Sequence, residues 1–185
     1  MRRSSGTRNR SSRGSSSRSN EPPLIRAAHR AGMTPLEHHT GDLLTTTAPA
    51  IAHGVNTVGV MGAGIAVQFA RRHSVMKDAY APACQNDALN PGDVFAWKVA
   101  GANSKHDVIY ILASQDLPGL HSRLGWLESS LDYAVSHAET AGIDRIALPR
   151  SGRGIGGLDQ DEAEQVMARV AATSSTVTLE VWTLA

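Results

Sequence analysis

Strand-like and helix-like runs alternate along this chain, and at two of the strand-to-helix junctions the sequence turns to glycine: GVMGAG at residues 59–64 and GRGIGG at residues 152–157. Such alternation restricts the fold to a largely parallel sheet covered by helices on both faces. In sheets of this kind ligands gather beyond the carboxyl ends of the strands, where both turns fall. Glycine lets backbone N–H groups approach an anion with no Cβ in the way, and a following helix adds the positive end of its dipole. Two such turns can clasp one phosphate-bearing ligand from both sides.

The individual runs support the pattern. Residues 36–40 predict a short strand ending at Gly41-Asp42, and 48–55 a second one ending at Asn56 before the first glycine turn. A helix is expected over 65–72, with Ile65, Ala66 and Phe69 on one face, and a shorter one over 74–84. Strands follow at 94–99 and 108–113, the second feeding the loop SQDLPGLHS. Leu124, Leu127, Leu131, Ala134, Val135 and Ala138 recur at helical spacing, which predicts an amphipathic helix over 123–141 stopped at Gly142. A short strand at 145–148 runs into Pro149 and the second turn; an acid-led helix at 161–172 and a strand at 177–184 close the pattern.

The chain has 185 residues, 41% hydrophobic and 19% charged, enough for one domain with a core and an appendage. The appendage lies at the start: residues 1–20 hold six arginines, eight serines and no acid, a composition expected to stay disordered. Taking this +6 from the formal net charge of +1 leaves −5, so a basic tail precedes an acidic domain. We divide the chain into an Arg/Ser-rich tail, 1–32, and a domain, 33–185. Such a tail reads as a nucleic-acid arm or a transit peptide, and no apolar stretch follows it as in a secretory signal. Met33, just before the first strand signal, is an alternative start. No apolar run is long enough to span a bilayer, and the single cysteine, Cys84, excludes an internal disulfide and any multi-cysteine metal site. The expectations are a cytoplasmic monomer with no cofactor, metal or membrane contact.

Three familiar chemistries fail on spacing. The first turn runs G-x-x-G-x-G at Gly59, Gly62 and Gly64, whereas a dinucleotide fingerprint needs G-x-G-x-x-G directly after the strand; aligned that way its second glycine would be Asn56. Neither turn is followed by Lys-Ser or Lys-Thr, which removes a Walker phosphate loop. His38 and His39 are adjacent on a strand and point to opposite faces, so they make no metal pair.

TGDL at 40–43, HGVNTVGVMGAGIAVQF at 53–69 and LPRSGRGIGGLD at 148–159 together resemble a macrodomain. The resemblance covers about residues 36–185. It is nearest the branch holding the terminal ADP-ribose protein glycohydrolase, the DNA ADP-ribosyl glycohydrolase antitoxins and a yeast-type ADP-ribose 1″-phosphate phosphatase. It implies an α/β fold, a three-layer α/β/α domain with a mixed, largely parallel sheet of about six strands, and ADP-ribose bound at the strand ends.

The same resemblance assigns roles by position. Asp42, followed by Leu43, matches the family's adenine contact, and a carboxylate suits the adenine amino group; a turn cap after Gly41 is its rival role. Met61, Gly62, Ala63, Gly64 and Ile65 would line one side of the diphosphate, and Ser151, Gly152, Arg153, Gly154 and Ile155 the other. Arg153 would be a charge near the diphosphate or a solvated loop tip. Asn56 matches the distal-ribose contact, or is a turn former. His53 matches a histidine of the phosphatase relative, or is a core histidine. The glycohydrolase relative attacks the distal ribose with a lysine where this chain has Gln115, which forms no Schiff base and is no general base. Asp159 matches the acid accompanying that lysine and can activate water or steady an oxocarbenium ion, or cap the helix it precedes. Ser114, Asp116 and His121 are the chemically able members of the loop beside the ribose.

The expected function is thus a hydrolase that frees ADP-ribose from a modified protein or nucleic acid by cleavage at C1″, with Asp159, Gln115 and His53 the candidate catalytic residues. The alternatives are a non-catalytic ADP-ribose reader and an ADP-ribose 1″-phosphate phosphatase. The basic tail would add weak, salt-sensitive nucleic-acid contact.

Overall fold

The computed structural model of the chain describes residues 36–101, 104–150 and 156–185. Six strands, β1 (Leu36–Thr40), β2 (Ala50–Asn56), β3 (Val94–Lys98), β4 (Val108–Gln115), β5 (Arg145–Pro149) and β6 (Thr178–Thr183), form one sheet in the order β1-β6-β5-β2-β4-β3. Every neighbouring pair is parallel except β3 with β4, which is antiparallel. Among the described residues the helices are α1 (Gly64–Arg72), α2 (Ser74–Gln85), α3 (Leu124–Ala141) and α4 (Gln160–Ala171), and a 3-10 turn spans Leu43–Thr45. The expected mixed, largely parallel α/β sheet is the observed one.

Two hydrophobic clusters, one on each face of the sheet, make the three layers. On one face Leu127, Leu131 and Ala134 of α3 and Ala163, Val166 and Met167 of α4 pack on Tyr110, Leu112 and Leu148. On the other, Phe69 of α1 and Met76 and Tyr80 of α2 pack on Ile51, Val55 and Ile109. Burial from both sides explains why Val108 to Ala113 is apolar without alternation: every one of these residues is buried. Beside the second cluster, the buried carboxylate of Glu180 on β6 accepts from Arg145 Nη1 at 2.9 Å, from Trp182 Nε1 at 3.3 Å and from the Thr46 hydroxyl at 3.2 Å, fastening the segment before β2 to the sheet. Among the described residues no helix is long and apolar enough to cross a membrane.

Element ends differ from expectation for local reasons. α3 stops at Gly142, as its spacing predicts: Gly142 takes φ +70°, its N–H bonds Glu139 O at 3.2 Å, and Ile143 N–H bonds Ala138 O at 2.9 Å. β2 begins at Ala50, after Pro49. β4 runs two residues further than expected, through Ser114 and Gln115, because its pairing with β2 slips at a bulge: Gly54 faces Leu112, yet Asn56 faces Gln115. This bulge lies at the carboxyl edge of the sheet and brings Gln115 level with Asn56.

Candidate functional site

The first glycine turn is held by side chains of the strand before it and of α2. Asn56 Oδ1 accepts from the backbone N–H groups of Val58 at 3.1 Å and Val60 at 3.2 Å, and its Nδ2 donates to Val60 O at 2.7 Å. The Tyr80 hydroxyl donates to the Asn56 backbone carbonyl, and burial pushes that phenol well above its ordinary pKa, so it stays a donor. Gly59 sits at φ +83°, and a Cβ there would lie 3.1 Å from Ala81 Cα, so only glycine fits. The turn then delivers α1, which begins at Gly64 with no side-chain cap on its N-terminus and so leaves its first N–H groups for a ligand.

The opposite wall is the loop after β4. Gln115 Nε2 donates to Gly119 O at 2.8 Å, folding the loop back so that Arg123 N–H reaches Ser114 O at 3.2 Å and Ser122 N–H reaches Gly156 O at 3.1 Å. Thr57 Oγ1 donates to Asp116 O at 3.2 Å and ties the two walls together. At the third wall Gly156 packs closely on the loop: a Cβ there would stand 2.2 Å from Ser122 Oγ, which would have to turn away, and 3.1 Å from Ser122 Cβ.

These walls enclose a cavity of about 400 Å³ at the ends of β2, β4 and β5. Asn56, Gly62, Ala63, Gly64 and Ile65 line it, as do His53 and Gln115. Its floor is apolar, from Leu112, Leu127, Leu148 and Leu158. Of the large exposed apolar side chains, Val58, Val60, Leu117 and Leu120 belong to the two loops at its mouth.

Other sequence-derived candidates stand elsewhere. The Asp42 carboxylate caps the 3-10 turn by accepting from Leu44 N–H at 2.9 Å, while Leu43 and Met61 are buried in the core; none of the three lines the cavity. Asp159 is the N-cap of α4: its Oδ1 accepts from Asp161 N–H and Glu162 N–H, each at 3.0 Å, and its neighbour Leu158 reaches the cavity. Ser151, Gly152, Arg153, Gly154 and Ile155 lie outside the described residues, as does the tail 1–32. Among the described residues no cluster of histidine, cysteine and carboxylate side chains is placed to hold a metal ion.

His53 is fully buried and stacked on Phe69, with ring centroids 4.2 Å apart; Nδ1 lies 3.3 Å from Gly54 O and Nε2 has no partner among the described residues. Burial, opposed by the Gly54 carbonyl and aided by His73, lowers its pKa from 6.5 to about 4. At neutral pH the imidazole is neutral and suits packing or hydrogen bonding rather than proton donation. Because the folded pKa is depressed, the unfolded chain binds the extra proton between pH 6.5 and about 4, and stability falls as pH drops through that window. The loss reaches roughly 3 kcal/mol at the acid end. Urea denaturation at pH 7 and pH 4.5 should show it, and His53→Phe should remove most of it; an unchanged pH dependence would assign the effect to other groups.

The reading of the sequence passed over Arg150. It is the last residue before the second turn, half-buried, and lines the cavity.

Comparison with known proteins agrees with this geometry. The macro domain family model matches residues 52–167. A curated relative, the DNA ADP-ribosyl glycohydrolase of Mycobacterium tuberculosis, is 32% identical over 130 residues, which is 70% of this chain and 37% of the relative. The chain thus spans little more than a third of the length of that relative. Among solved structures, the macrodomain of Mycobacterium tuberculosis DarG matches with a TM-score of 0.73 and 29% identity, covering 80% of this chain and 96% of that one. The macrodomain of Thermus aquaticus DarG matches with a TM-score of 0.71 and 30% identity, over 80% and 97% of the two chains. With a family model matching more than half of its length and solved macrodomains of the same fold, the chain belongs to the macro domain family.

Proposed function

We propose that the chain binds ADP-ribose in the cavity and releases it hydrolytically from a modified acceptor, with DNA the favoured acceptor. The observation that carries this is the cavity itself: an uncapped helix N-terminus behind a glycine turn at the strand ends, in a chain similar to DNA ADP-ribosyl glycohydrolases. The turn and α1 hold the diphosphate, which places C1″ of the distal ribose beside Gln115, and Asp159, one residue beyond the lining Leu158, would act on it from the start of α4. In the reaction the bond from C1″ to the acceptor breaks, water adds its oxygen to C1″, and its proton passes by way of the Asp159 carboxylate to the departing acceptor. Gln115, a neutral amide, positions the ribose or the water and forms no covalent intermediate.

Val58, Val60, Leu117 and Leu120 give the mouth an apolar rim suited to the flat face of a nucleobase more than to a charged peptide. The basic tail would add salt-sensitive phosphate contacts. Calorimetric titration with ADP-ribose, NAD and ATP, followed by release assays on ADP-ribosylated single-stranded DNA and ADP-ribosylated protein, tests the reading. ADP-ribose should bind best, and release from DNA should exceed release from protein. No ADP-ribose binding sinks the proposal; tight binding without release from either acceptor makes the chain a reader.

A further inference from the structure

Among the described residues, Arg150 is the only cationic side chain that lines the cavity, and no carboxylate lines it. The remaining lining is glycine, apolar and neutral polar, and His53 is held uncharged by burial. A single positive charge in a 400 Å³ cleft without acids needs a reason.

Arg150 is held at both ends. Its backbone N–H donates to Trp182 O at 2.8 Å, which anchors it at the carboxyl end of β5. Its Nη2 lies 3.0 Å from Glu164 Oε2 on α4, and the other oxygen of that carboxylate is 3.5 Å from His38 Nε2 on β1. The contact with Glu164 is an ion pair without hydrogen-bond geometry, since Glu164 Oε2 has no hydrogen-bond partner among the described residues. Arg150 Nε is buried and has no hydrogen-bond partner among the described residues. That atom has almost no accessible surface, so a ligand meets the exposed part of the side chain, which is 33% exposed.

We propose that Arg150 is a ligand-binding residue whose guanidinium donates to an anionic oxygen of the ligand diphosphate, from the wall opposite the α1 N-terminus. This rests on the ADP-ribose reading above. The diphosphate then lies between a helix dipole on one side and a guanidinium on the other. Glu164 draws the guanidinium toward α4 by charge, and Arg150 lines the cavity from there. The arrangement also separates two duties: Arg150 carries affinity, whereas Gln115 and Asp159 act at the ribose.

The test compares Arg150→Gln and Arg150→Lys with the wild type by calorimetry against three probes: ADP-ribose, inorganic diphosphate and adenosine. Arg150→Gln should weaken ADP-ribose and inorganic diphosphate by about 10- to 100-fold and leave adenosine unchanged. Arg150→Lys, which keeps the charge but not the fork, should recover part of the loss. Urea denaturation of each variant separates misfolding from lost binding. Equal loss for adenosine would mean that Arg150 only staples α4 to the sheet, and unchanged ADP-ribose affinity in Arg150→Gln would likewise overturn the assignment. If the wild type binds no ADP-ribose, the functional reading falls; the assignment then stands if inorganic diphosphate is still weakened in Arg150→Gln and falls if it is not.

Discussion

Asp159→Asn is expected to slow ADP-ribose release by at least ~100-fold while ADP-ribose binding and folding persist. In the proposed reaction the side chain has two separable duties. Oδ1 takes the N–H groups of Asp161 and Glu162, each at 3.0 Å, and so starts α4, whereas Oδ2 makes no hydrogen bond among the described residues. Asparagine caps helices as well as aspartate does, so the first duty survives the change. An amide cannot accept the proton of an attacking water, so the second does not. Asp159→Ala removes both and should show the same kinetic defect plus about 1 kcal/mol of lost stability. Single-turnover release from ADP-ribosylated DNA, set beside urea denaturation, reads the two effects separately. Full activity in Asp159→Asn would reduce the residue to a cap and leave the hydrolytic mechanism without its base.

The alternation of elements was legible because tertiary burial writes itself into composition at the centre of the sheet. Val108 to Ala113 is apolar throughout since helices cover it on both sides, and the leucines of α3 keep helical spacing since one face meets the sheet. Elements decided by other parts of the chain were not legible. Ser114 and Gln115 are polar and read as loop, yet they extend β4 because the bulge opposite Gly54 lets Gln115 pair with Asn56. The 3-10 turn at Leu43–Thr45 is too short for any period to register, and only its cap, Asp42, signals it.

The site was legible in its backbone and less so in its side chains. Glycines mark the turn because conformation demands them locally, but the role of an amide depends on its partners. Asn56 matched a ribose contact; in the structure both ends of its side-chain amide are engaged in holding residues 58–60, so it shapes the wall on which the ligand rests. Arg150 was within reach of strand parity. Leu148 of β5 packs in the cluster with α4, and the residue two positions on shares its face, so Arg150 had to point toward α4 as well. The glycines drew attention to Arg153 instead.

Gly64→Val is expected to lower ADP-ribose affinity by ~100-fold or more. Gly64 occupies φ +59° at the first position of α1, in the left-handed region where an L side chain costs roughly 1–2 kcal/mol and a β-branched one more. Valine escapes that strain only by turning the peptide units on either side, which redirects the N–H groups aimed at the diphosphate. Gly64 is also exposed and lines the cavity, so the new methyl groups stand in the space a ligand needs. Strain and obstruction act in the same direction on binding, whereas the fold feels the strain alone. Urea denaturation should therefore show a stability loss of about 2–3 kcal/mol, the strain alone, beside the loss of affinity measured by calorimetry. Gly64→Ala, unbranched and smaller, should fall between valine and wild type on both measures. Wild-type ADP-ribose affinity in Gly64→Val would move the anion site away from the α1 N-terminus and leave Arg150 as its remaining support.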